Sequence, residues 1–276
     1  MFLDKLFSDP HLDRLTGLLK GLESAVVAFS GGVDSTFLLK AVKLSGIKAL
    51  AVTSASPSHP KWDVQTALEM ASVIGIPHRL IKTRELENPG YSENPPDRCY
   101  YCKSELFSAL ADIARREGFG CVIDGSTADD LKDFRPGMKA AREHGVRSPL
   151  LEAGLGKEQI RRLSRELGLC TWDRPSSPCL ASRVPYGTPV TEAGLKRIAL
   201  SEEALRRLGL REFRVRDHGD VARIEAGQAD FALALSARQE IVAALKEHFR
   251  FVCLDLEGFR SGSLNHETDS FKKERG

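Results

Sequence analysis

The sequence contains no apolar run that approaches the roughly 18 residues needed to cross a membrane. Its amino terminus lacks the basic stretch and long apolar segment of a secretory signal. Positive and negative charges are nearly balanced: the chain has 40 Lys and Arg and 38 Asp and Glu, which gives a formal net charge of +2. We therefore expect a cytoplasmic protein with no membrane partner, and with no global field that would hold nucleic acid stably.

Cysteine patterns typical of metal sites are also scarce. Cys99 and Cys102 form a C-x-x-C, but neither a second C-x-x-C nor a His pair completes a zinc site. No thioredoxin-type first strand precedes the pair, so a redox dithiol is not favoured. A third interpretation is a metal or cluster site that one distant cysteine completes. Six cysteines in a cytosolic chain argue against a disulfide framework.

The most informative feature present is a glycine-rich turn between an apolar run and a helical pattern. The turn consists of Ser30, Gly31, Gly32, Val33, Asp34 and Ser35. Two glycines let the backbone turn sharply and approach a ligand closely. The next helix directs unpaired N–H groups and its positive dipole end at that ligand, which favours phosphate. The serines add hydroxyl donors, and the aspartate can help to position a phosphate-bound metal ion.

This turn lacks the lysine that a P-loop of the form G-x-x-x-x-G-K-[ST] requires. It resembles instead the SGGxDS loop of the PP-loop ATP pyrophosphatases. That resemblance implies cleavage of ATP between its α- and β-phosphates, with AMP used to activate an acceptor.

Strand and helix patterns alternate through the first half of the chain. Strands are predicted at 24–29, 47–53, 78–82 and 120–125, and helices at 36–45, 61–75 and 103–118. This α/β order predicts a parallel sheet with helices on both faces. A further helix is predicted at 157–167. A small α+β unit follows, with helices at 192–208 and 236–248 and strands at 213–216, 221–225 and 250–256.

Polar segments follow three of the predicted strands. They are the turn at 30–35, the segment that contains Thr53 and Ser54, and the segment 124–130, which begins with Asp124 and Gly125 and ends with Asp129 and Asp130. Because ligands of such sheets bind beyond the carboxyl ends of the strands, we expect these segments to form one site.

The remaining cysteines differ in their surroundings. Cys121 and Cys253 lie in apolar strand patterns and are expected to be buried small hydrophobes. Cys170 follows a helix end and is assigned a structural role. Cys179 lies in a loop rich in Pro and Ser, four residues before Arg183, whose charge would stabilise a thiolate. We therefore choose Cys179 as the third cysteine.

Further motifs follow the turn in a fixed order. They are Asp124-Gly125-Ser126-Thr127-Ala128-Asp129-Asp130, Phe134-Arg135-Pro136-Gly137, Trp172-Asp173-Arg174-Pro175, Cys179-Leu180-Ala181-Ser182-Arg183 and Arg214-Val215-Arg216-Asp217-His218-Gly219. In this combination the chain resembles, over residues 10–258, the LarE family of ATP-dependent sulfur transferases. These enzymes help to make the nickel-pincer cofactor of lactate racemase.

The resemblance implies a reaction and roles for particular residues. A carboxylate of pyridinium-3,5-biscarboxylic acid mononucleotide is adenylated, and a cysteine sulfur, here that of Cys179, displaces AMP to give a thiocarboxylate. ATP phosphates would lie on the turn at 30–35 and adenine near Thr53 and Ser54, with Asp124, Gly125 and Arg135 also at the nucleotide. Asp130, with Asp129 as a second candidate, would share Mg²⁺, and Asp34 would help to position it. Family members with a C-x-x-C are thought to hold a [4Fe-4S] cluster, here on Cys99, Cys102 and Cys179, in place of a sacrificed sulfur.

The acceptor is a small anionic nucleotide, so we expect a basic site for it. Arg183, Arg214 and Arg216 are the predicted anion clamp, since residues two apart share one face of a strand. His218, Arg223 and Glu225 are weaker candidates. Tyr100 and Tyr101 either stack on the pyridinium ring or pack locally.

The predicted division of the chain is a PP-loop domain over 1–180, a C-terminal α+β domain for substrate binding or oligomerisation over 181–258, and a disordered tail over 259–276. A homo-oligomer is expected. Three other functions stay open: a PP-loop tRNA thiolase, an ammonia-dependent PP-loop synthetase, and a nucleotide sensor without turnover.

Overall fold

The computed structural model describes residues 9–132 and 135–260. These residues form two compact units. Unit 1 comprises the described residues up to 85 together with 99–177, and unit 2 comprises 86–98 together with 178–260. Unit 2 is thus assembled from two separate stretches of chain. The predicted tail lies almost entirely outside the described residues.

Unit 1 contains a parallel sheet whose strand order is β3-β2-β1-β4. Its strands are β1 (Ser24–Ala28), β2 (Lys48–Ala55), β3 (His78–Lys82) and β4 (Cys121–Ile123). The predicted α/β fold with a parallel sheet is therefore confirmed. Strand β1 lies in the middle of the sheet, so the turn that follows it lies between the ends of its two neighbours.

Helices connect these strands. They are α1 (Pro10–Lys20), α2 (Val33–Ser45), α3 (Lys61–Ile74), α4 (Pro89–Ser92), α5 (Arg98–Glu117), α6 (Pro136–Glu143), α7 (Pro149–Glu152) and α8 (Lys157–Glu166), of which α4 belongs to unit 2. Helix α5 begins five residues before the predicted start at 103. Among the described residues, no helix is both long and apolar enough to cross a membrane.

Strand β1 shows how the sheet is buried on both faces. Successive side chains of a strand point to opposite faces. Val27 packs in one apolar cluster with Leu38 of α2, and Val26 packs in another with Phe107 of α5. Burial on both sides explains why β1 is a continuous apolar run and not an alternating one.

Unit 2 has its own sheet and apolar core. The strands β5 (Phe213–His218), β6 (Val221–Ala226) and β7 (Phe251–Leu254) are arranged in that order, with β5 antiparallel and β7 parallel to β6. Its remaining helices are α9 (Glu192–Arg207), α10 (Phe231–Ser236) and α11 (Arg238–Leu245).

Two details of unit 2 differ from the prediction. The helix expected at 236–248 is shorter and covers Arg238–Leu245 (α11), and a further short helix, α10 (Phe231–Ser236), precedes it where no helix was predicted. Cys253 is exposed, so its assignment as a buried hydrophobe was wrong. The cause is that β7 lies at the edge of the sheet and turns Phe251 and Cys253 outward.

Candidate active site

The turn at 30–35 has the geometry of a phosphate-binding loop. Gly31 has a φ of +71°, and a Cβ at this position would lie 2.8 Å from the Cα and N atoms of Ala67 in α3. Helix α2 starts at Val33, and its N-cap Gly32 supplies no side-chain capping bond. The N-terminal N–H groups of α2 therefore face a turn that approaches α3 as closely as glycine allows.

The loop after β4 packs directly against this turn. A Cβ on Gly125 would lie 3.2 Å from both the Cα and the N atom of Ser35. The Ser35 hydroxyl lies 3.0 Å from that of Ser30 and donates to the carbonyl of Gly32 at 3.3 Å. The structure thus brings together the predicted segments that follow β1 and β4.

Two acidic side chains from these segments influence each other. Burial raises the pKa of Asp34 above its ordinary value, and the charge of Asp130 raises it further, while Lys157 acts in the opposite direction. Asp130 is itself buried; its Oδ2 accepts from the N–H of Thr127 at 2.8 Å, and its Oδ1 lies 3.0 Å from a guanidinium nitrogen of Arg135. A divalent cation between these carboxylates would offset both the burial and the repulsion.

The carboxylates of Asp124 and Asp129 accept hydrogen bonds from neighbouring groups of the protein. Asp124 accepts hydrogen bonds from the hydroxyls of Ser126 and Ser148, at 2.8 and 2.7 Å. Asp129 accepts from the N–H of Lys157 at 2.8 Å, at the start of α8. Asp129 therefore stabilises a helix N-terminus, which makes Asp130 the better placed of the two acidic residues for a metal ion.

Thr53 and Ser54 are buried at the carboxyl end of β2. The Thr53 hydroxyl lies 2.6 Å from the carbonyl of Phe29, to which it donates, and 2.8 Å from Nε2 of His78. The Thr53 side chain therefore joins three strands of the sheet. The predicted contact of Thr53 and Ser54 with adenine stays a prediction.

Arg174 is a site residue to which the sequence pattern assigns no role. Its guanidinium donates to the carbonyl of Gly31 at 3.3 Å and to the carboxylate of Asp63 at 2.5 Å. Ser177 donates to the other oxygen of Asp63 at 2.8 Å. Arg174 thus fixes the turn to α3 from a segment 143 residues later in the chain. Its position in the Trp-Asp-Arg-Pro motif was the available signal.

The C-x-x-C lies within the first turns of α5, so the prediction that it precedes the helix was wrong. Cys99 is exposed and Cys102 is half-buried. Among the described residues, no group of three or more His, Cys, Asp or Glu side chains is arranged to hold a metal ion. The Tyr100 hydroxyl donates to Glu143 at 2.6 Å, and its ring packs edge-to-face on Tyr101, so local packing accounts for both tyrosines.

In unit 2, Arg183 holds the backbone around Cys179. Its guanidinium pairs with both carboxylate oxygens of Glu202, at 2.8 and 3.0 Å, in a site where the two side chains are 1% and 2% exposed. The same guanidinium donates to the carbonyls of Pro178 and Cys179 at 2.6 and 3.2 Å. Arg183 therefore orients the half-buried Cys179, a role that differs from the predicted direct contact with the acceptor.

Arg214 and Arg216 both lie in β5 and are buried. Arg216 pairs with Glu225 at 2.7 Å and donates to the carbonyl of Ser182 at 2.8 Å. Burial, followed by repulsion from Arg183 and Arg216, lowers the pKa of Arg214 to about 10. The predicted arginines are thus brought together in a basic cluster that an anion would stabilise.

The weaker candidates for the anion site, His218, Arg223 and Glu225, have different surroundings. Arg223 pairs with Glu225 at 3.0 Å, so both belong to the edge of the basic cluster. His218 is exposed at the end of β5.

Comparison with known proteins gives close relatives over nearly the whole chain. No protein-family model matches. An uncharacterized protein of Synechocystis sp. is 43% identical, over 93% of this chain and 97% of its own. The pyridinium-3,5-bisthiocarboxylic acid mononucleotide synthase of Lactiplantibacillus plantarum is 38% identical, over 91% of this chain and 92% of its own. More distantly, a tRNA-specific 2-thiouridylase of Beijerinckia indica is 26% identical over 56% of this chain.

Proposed function

Because the chain belongs to the LarE family of ATP-dependent sulfur transferases, we propose that it adenylates a carboxylate of pyridinium-3,5-biscarboxylic acid mononucleotide and converts it to a thiocarboxylate. The observation that carries the proposal is the geometry of the turn at 30–35. The turn combines Gly31 at a positive φ with a start of α2 that has no side-chain cap, and the charges of Asp34 and Asp130 influence each other; this combination supports a site for phosphate and a cation.

The activation step requires little acid–base chemistry from the protein. The acceptor carboxylate attacks the α-phosphorus of ATP, and the bond to the β-phosphate oxygen breaks to release pyrophosphate. Positioning of the two reactants and neutralisation of charge supply the rate. The N–H groups at the start of α2 and the hydroxyls of Ser30 and Ser35 would hold the departing phosphates.

The residues of the acidic pair fit Mg²⁺, since carboxylate oxygens are the ligands that this ion prefers. When bound, Mg²⁺ neutralises the charge that develops on pyrophosphate. Asp34 and Asp130 would hold it, while Arg135 and Lys157 lie 3.0 and 3.8 Å from Oδ1 of Asp130 and offset part of its charge.

In the sulfur step, the Cys179 sulfur attacks the acyl carbon of the adenylate and AMP leaves. Cleavage of the Cβ–S bond then gives the thiocarboxylate, with loss of the Cα proton and dehydroalanine at position 179. Arg183 supports this step because it holds the carbonyls of Pro178 and Cys179 and so fixes the backbone that carries the sulfur. The anionic acceptor would be attracted by Arg214 and Arg216.

The alternative source of sulfur is a [4Fe-4S] cluster on Cys99, Cys102 and Cys179. Thiolates are the natural ligands of such a cluster, and Cys99 and Cys102 offer two of them three residues apart on α5, but no three cysteines of the described residues are grouped to hold it. A cluster held by three cysteines leaves one iron able to carry an extra sulfide.

A reconstituted reaction tests the function. Protein purified anaerobically is incubated with ATP, Mg²⁺ and the biscarboxylate, and pyrophosphate, thiocarboxylate and the mass of the chain are measured. We expect acceptor-dependent pyrophosphate release and a thiocarboxylate product. Cys179→Ala should still release pyrophosphate but form no thiocarboxylate, while the exposed Cys253→Ala serves as the control. Pyrophosphate release without thiocarboxylate in the wild type would contradict the proposal.

The two sulfur sources are separated by iron and sulfide analysis of the wild type and of Cys99→Ala. The cluster is supported if the wild type contains iron and turns over repeatedly, and if Cys99→Ala loses both properties. An iron-free, active protein that ends with dehydroalanine at 179 supports the sacrificed sulfur. Light scattering tests the expected homo-oligomer, and fractionation tests the expected cytoplasmic location.

A tRNA thiolase is the second candidate, because PP-loop tRNA thiouridylases are more distant relatives. A gel shift at moderate salt decides between the two. Tight tRNA binding with no reaction of the biscarboxylate would favour the thiolase.

A further inference from the structure

A cavity of about 420 Å³ lies in unit 1 beyond the carboxyl ends of β2 and β3. Two loops enclose it: residues 55–59 after β2, which lead into α3, and residues 83–84 after β3. Its lining residues are Ala55, Ser56, Pro57, His59, Lys61, Val64, Gln65, Lys82, Thr83 and Arg84. None of them belongs to the turn at 30–35 or to the segment at 124–130. Thr53 and Ser54, to which adenine is assigned, do not line it either, so the proposed reaction gives the lining residues no role.

The charge of the lining is positive. Lys61, Lys82 and Arg84 line the cavity, and the described residues of its wall include no acidic side chain. Lys61 and Lys82 are exposed and form no ion pair within the described part of the chain. The Arg84 backbone N–H is anchored to Glu105 of α5 at 2.5 Å. Cations around one concave surface attract an anion, and at low ionic strength they do so over about 10 Å or more.

A buried hydrogen-bonded relay fixes the one imidazole among the described residues of the wall. The Ser56 hydroxyl contacts Oε1 of Glu85 and lies 3.0 Å from Nδ1 of His59. Glu85 is 1% exposed. Its burial acts to raise its pKa, but hydrogen bonds from Ser56, Thr83 and Ser58 outweigh that effect and keep the pKa below the ordinary value. Glu85 is therefore a carboxylate that only accepts.

This arrangement determines the direction of each bond. Ser56 has one hydroxyl proton, which it donates to Glu85, so its bond with the ring requires His59 to donate from Nδ1. Burial also lowers the pKa of His59, against the opposing charge of Glu85, and so favours the neutral ring. A neutral ring with its proton on Nδ1 leaves Nε2 as a hydrogen-bond acceptor.

We propose that this cavity is a second ligand site of unit 1, which binds a small molecule that carries a phosphate or carboxylate group and also a hydrogen-bond donor. Lys61, Lys82 and Arg84 receive the anionic group, and Nε2 of His59 accepts from the donor. The volume falls within the range of small-molecule sites, about 300–1,000 Å³. The proposal concerns residues distinct from those of the ATP turn and stands even if the sulfur transfer does not.

Titration calorimetry with two probes tests the site: ribose 5-phosphate for the phosphate class and pyridine-3,5-dicarboxylate for the carboxylate class. Mg²⁺ and saturating α,β-methylene-ATP are present, so that neither probe can occupy the turn at 30–35. We expect one probe or both to bind the wild type, and the probe whose binding the following cavity variant weakens identifies the class. The double variant Lys61→Ala/Lys82→Ala should bind at least tenfold more weakly, about 1.4 kcal/mol. Lys196→Ala/Lys246→Ala removes the same charge from exposed positions of unit 2 and is the control.

Two outcomes would overturn the proposal. One is that neither probe binds the wild type at a concentration of about 10 mM. The binding free energy would then be weaker than about 3 kcal/mol. The other is equal weakening in both double variants, which would indicate general charge attraction. Nitrogen NMR gives an independent readout, since wild-type His59 should show its proton on Nδ1 and a shift of Nε2 when the probe binds. A proton on Nε2 at neutral pH would refute the relay.

Discussion

The Arg183–Glu202 pair offers a quantitative test of how unit 2 holds Cys179. Both side chains are almost completely buried and bonded at two points. Replacement of either partner alone leaves an uncompensated buried charge, which costs about 3–5 kcal/mol. We therefore expect Arg183→Ala and Glu202→Ala each to destabilise unit 2 by about that amount.

The double variant Arg183→Met/Glu202→Leu should recover much of this loss, because apolar replacement of a buried ion pair is often neutral. Recovery stays incomplete for a structural reason. Glu202 also accepts from the N–H of Val215 at 3.1 Å, and Arg183 satisfies the carbonyl of Pro178. Each such group left unsatisfied costs about 1–3 kcal/mol.

The assay must report on unit 2. Trp62 and Trp172 both lie in unit 1, so tryptophan fluorescence follows the wrong unit. Hydrogen exchange of the paired amides of β5 and β6 is the appropriate measurement, since these strands pair through backbone groups that none of the variants replaces. A double variant less stable than either single variant would refute the reasoning. If Arg183→Ala keeps the exchange rate of the wild type but raises the KM for the acceptor, Arg183 belongs to the anion clamp instead.

Three further predictions concern the ATP turn. Gly31→Ala places a Cβ against Ala67 at a positive φ, so pyrophosphate release should fall at least about 100-fold while circular dichroism is retained. The pKa of Asp34 is raised in the folded state, so its ionised form opposes folding. Asp34→Asn should therefore raise the Tm of the ligand-free protein at pH 7. This gain should disappear as the pH falls below 3.8, the ordinary pKa of the carboxyl group, because Asp34 is then protonated in the wild type as well. A Tm difference between Asp34→Asn and the wild type that is the same at pH 7 and below pH 3.8 would contradict this. Arg174→Ala removes the tether between Asp63 and the turn and should raise the KM for ATP, whereas an unchanged KM would make the tether irrelevant to binding.

The parallel sheet and the loop at its centre were predictable because their signals are local. The apolar run before Ser30, the two glycines and the following helical pattern occupy one short stretch. Burial on both faces of β1 makes its sequence continuous and therefore conspicuous. The site segments after β1 and β4 could be paired for the same reason, since carboxyl ends of neighbouring parallel strands meet.

What was missed depends on contacts between distant residues. The role of Arg174 requires Asp63 and Gly31 to be in place, 111 and 143 residues away. The orienting role of Arg183 depends on Glu202, which the sequence presents as one more charged residue on α9. The helix start at Arg98 was placed too late because the Cys and Tyr residues of its first turns carry no helical signature.

The division of the chain has a consequence for synthesis. Residues 86–98 leave the ribosome between the two stretches of unit 1, yet they belong to unit 2, where the side-chain amide of Asn94 donates to the carbonyls of Pro185 and Thr188. Those carbonyls emerge about 90 residues later, so Asn94 cannot form these bonds until the second stretch of unit 1 has been synthesised. A shortened chain that ends near residue 178 would contain the ATP turn and the C-x-x-C, but residues 86–98 would lack their partners in unit 2. Truncation is therefore a poor way to isolate the ATP-binding half, and the variants described above belong in the full-length chain.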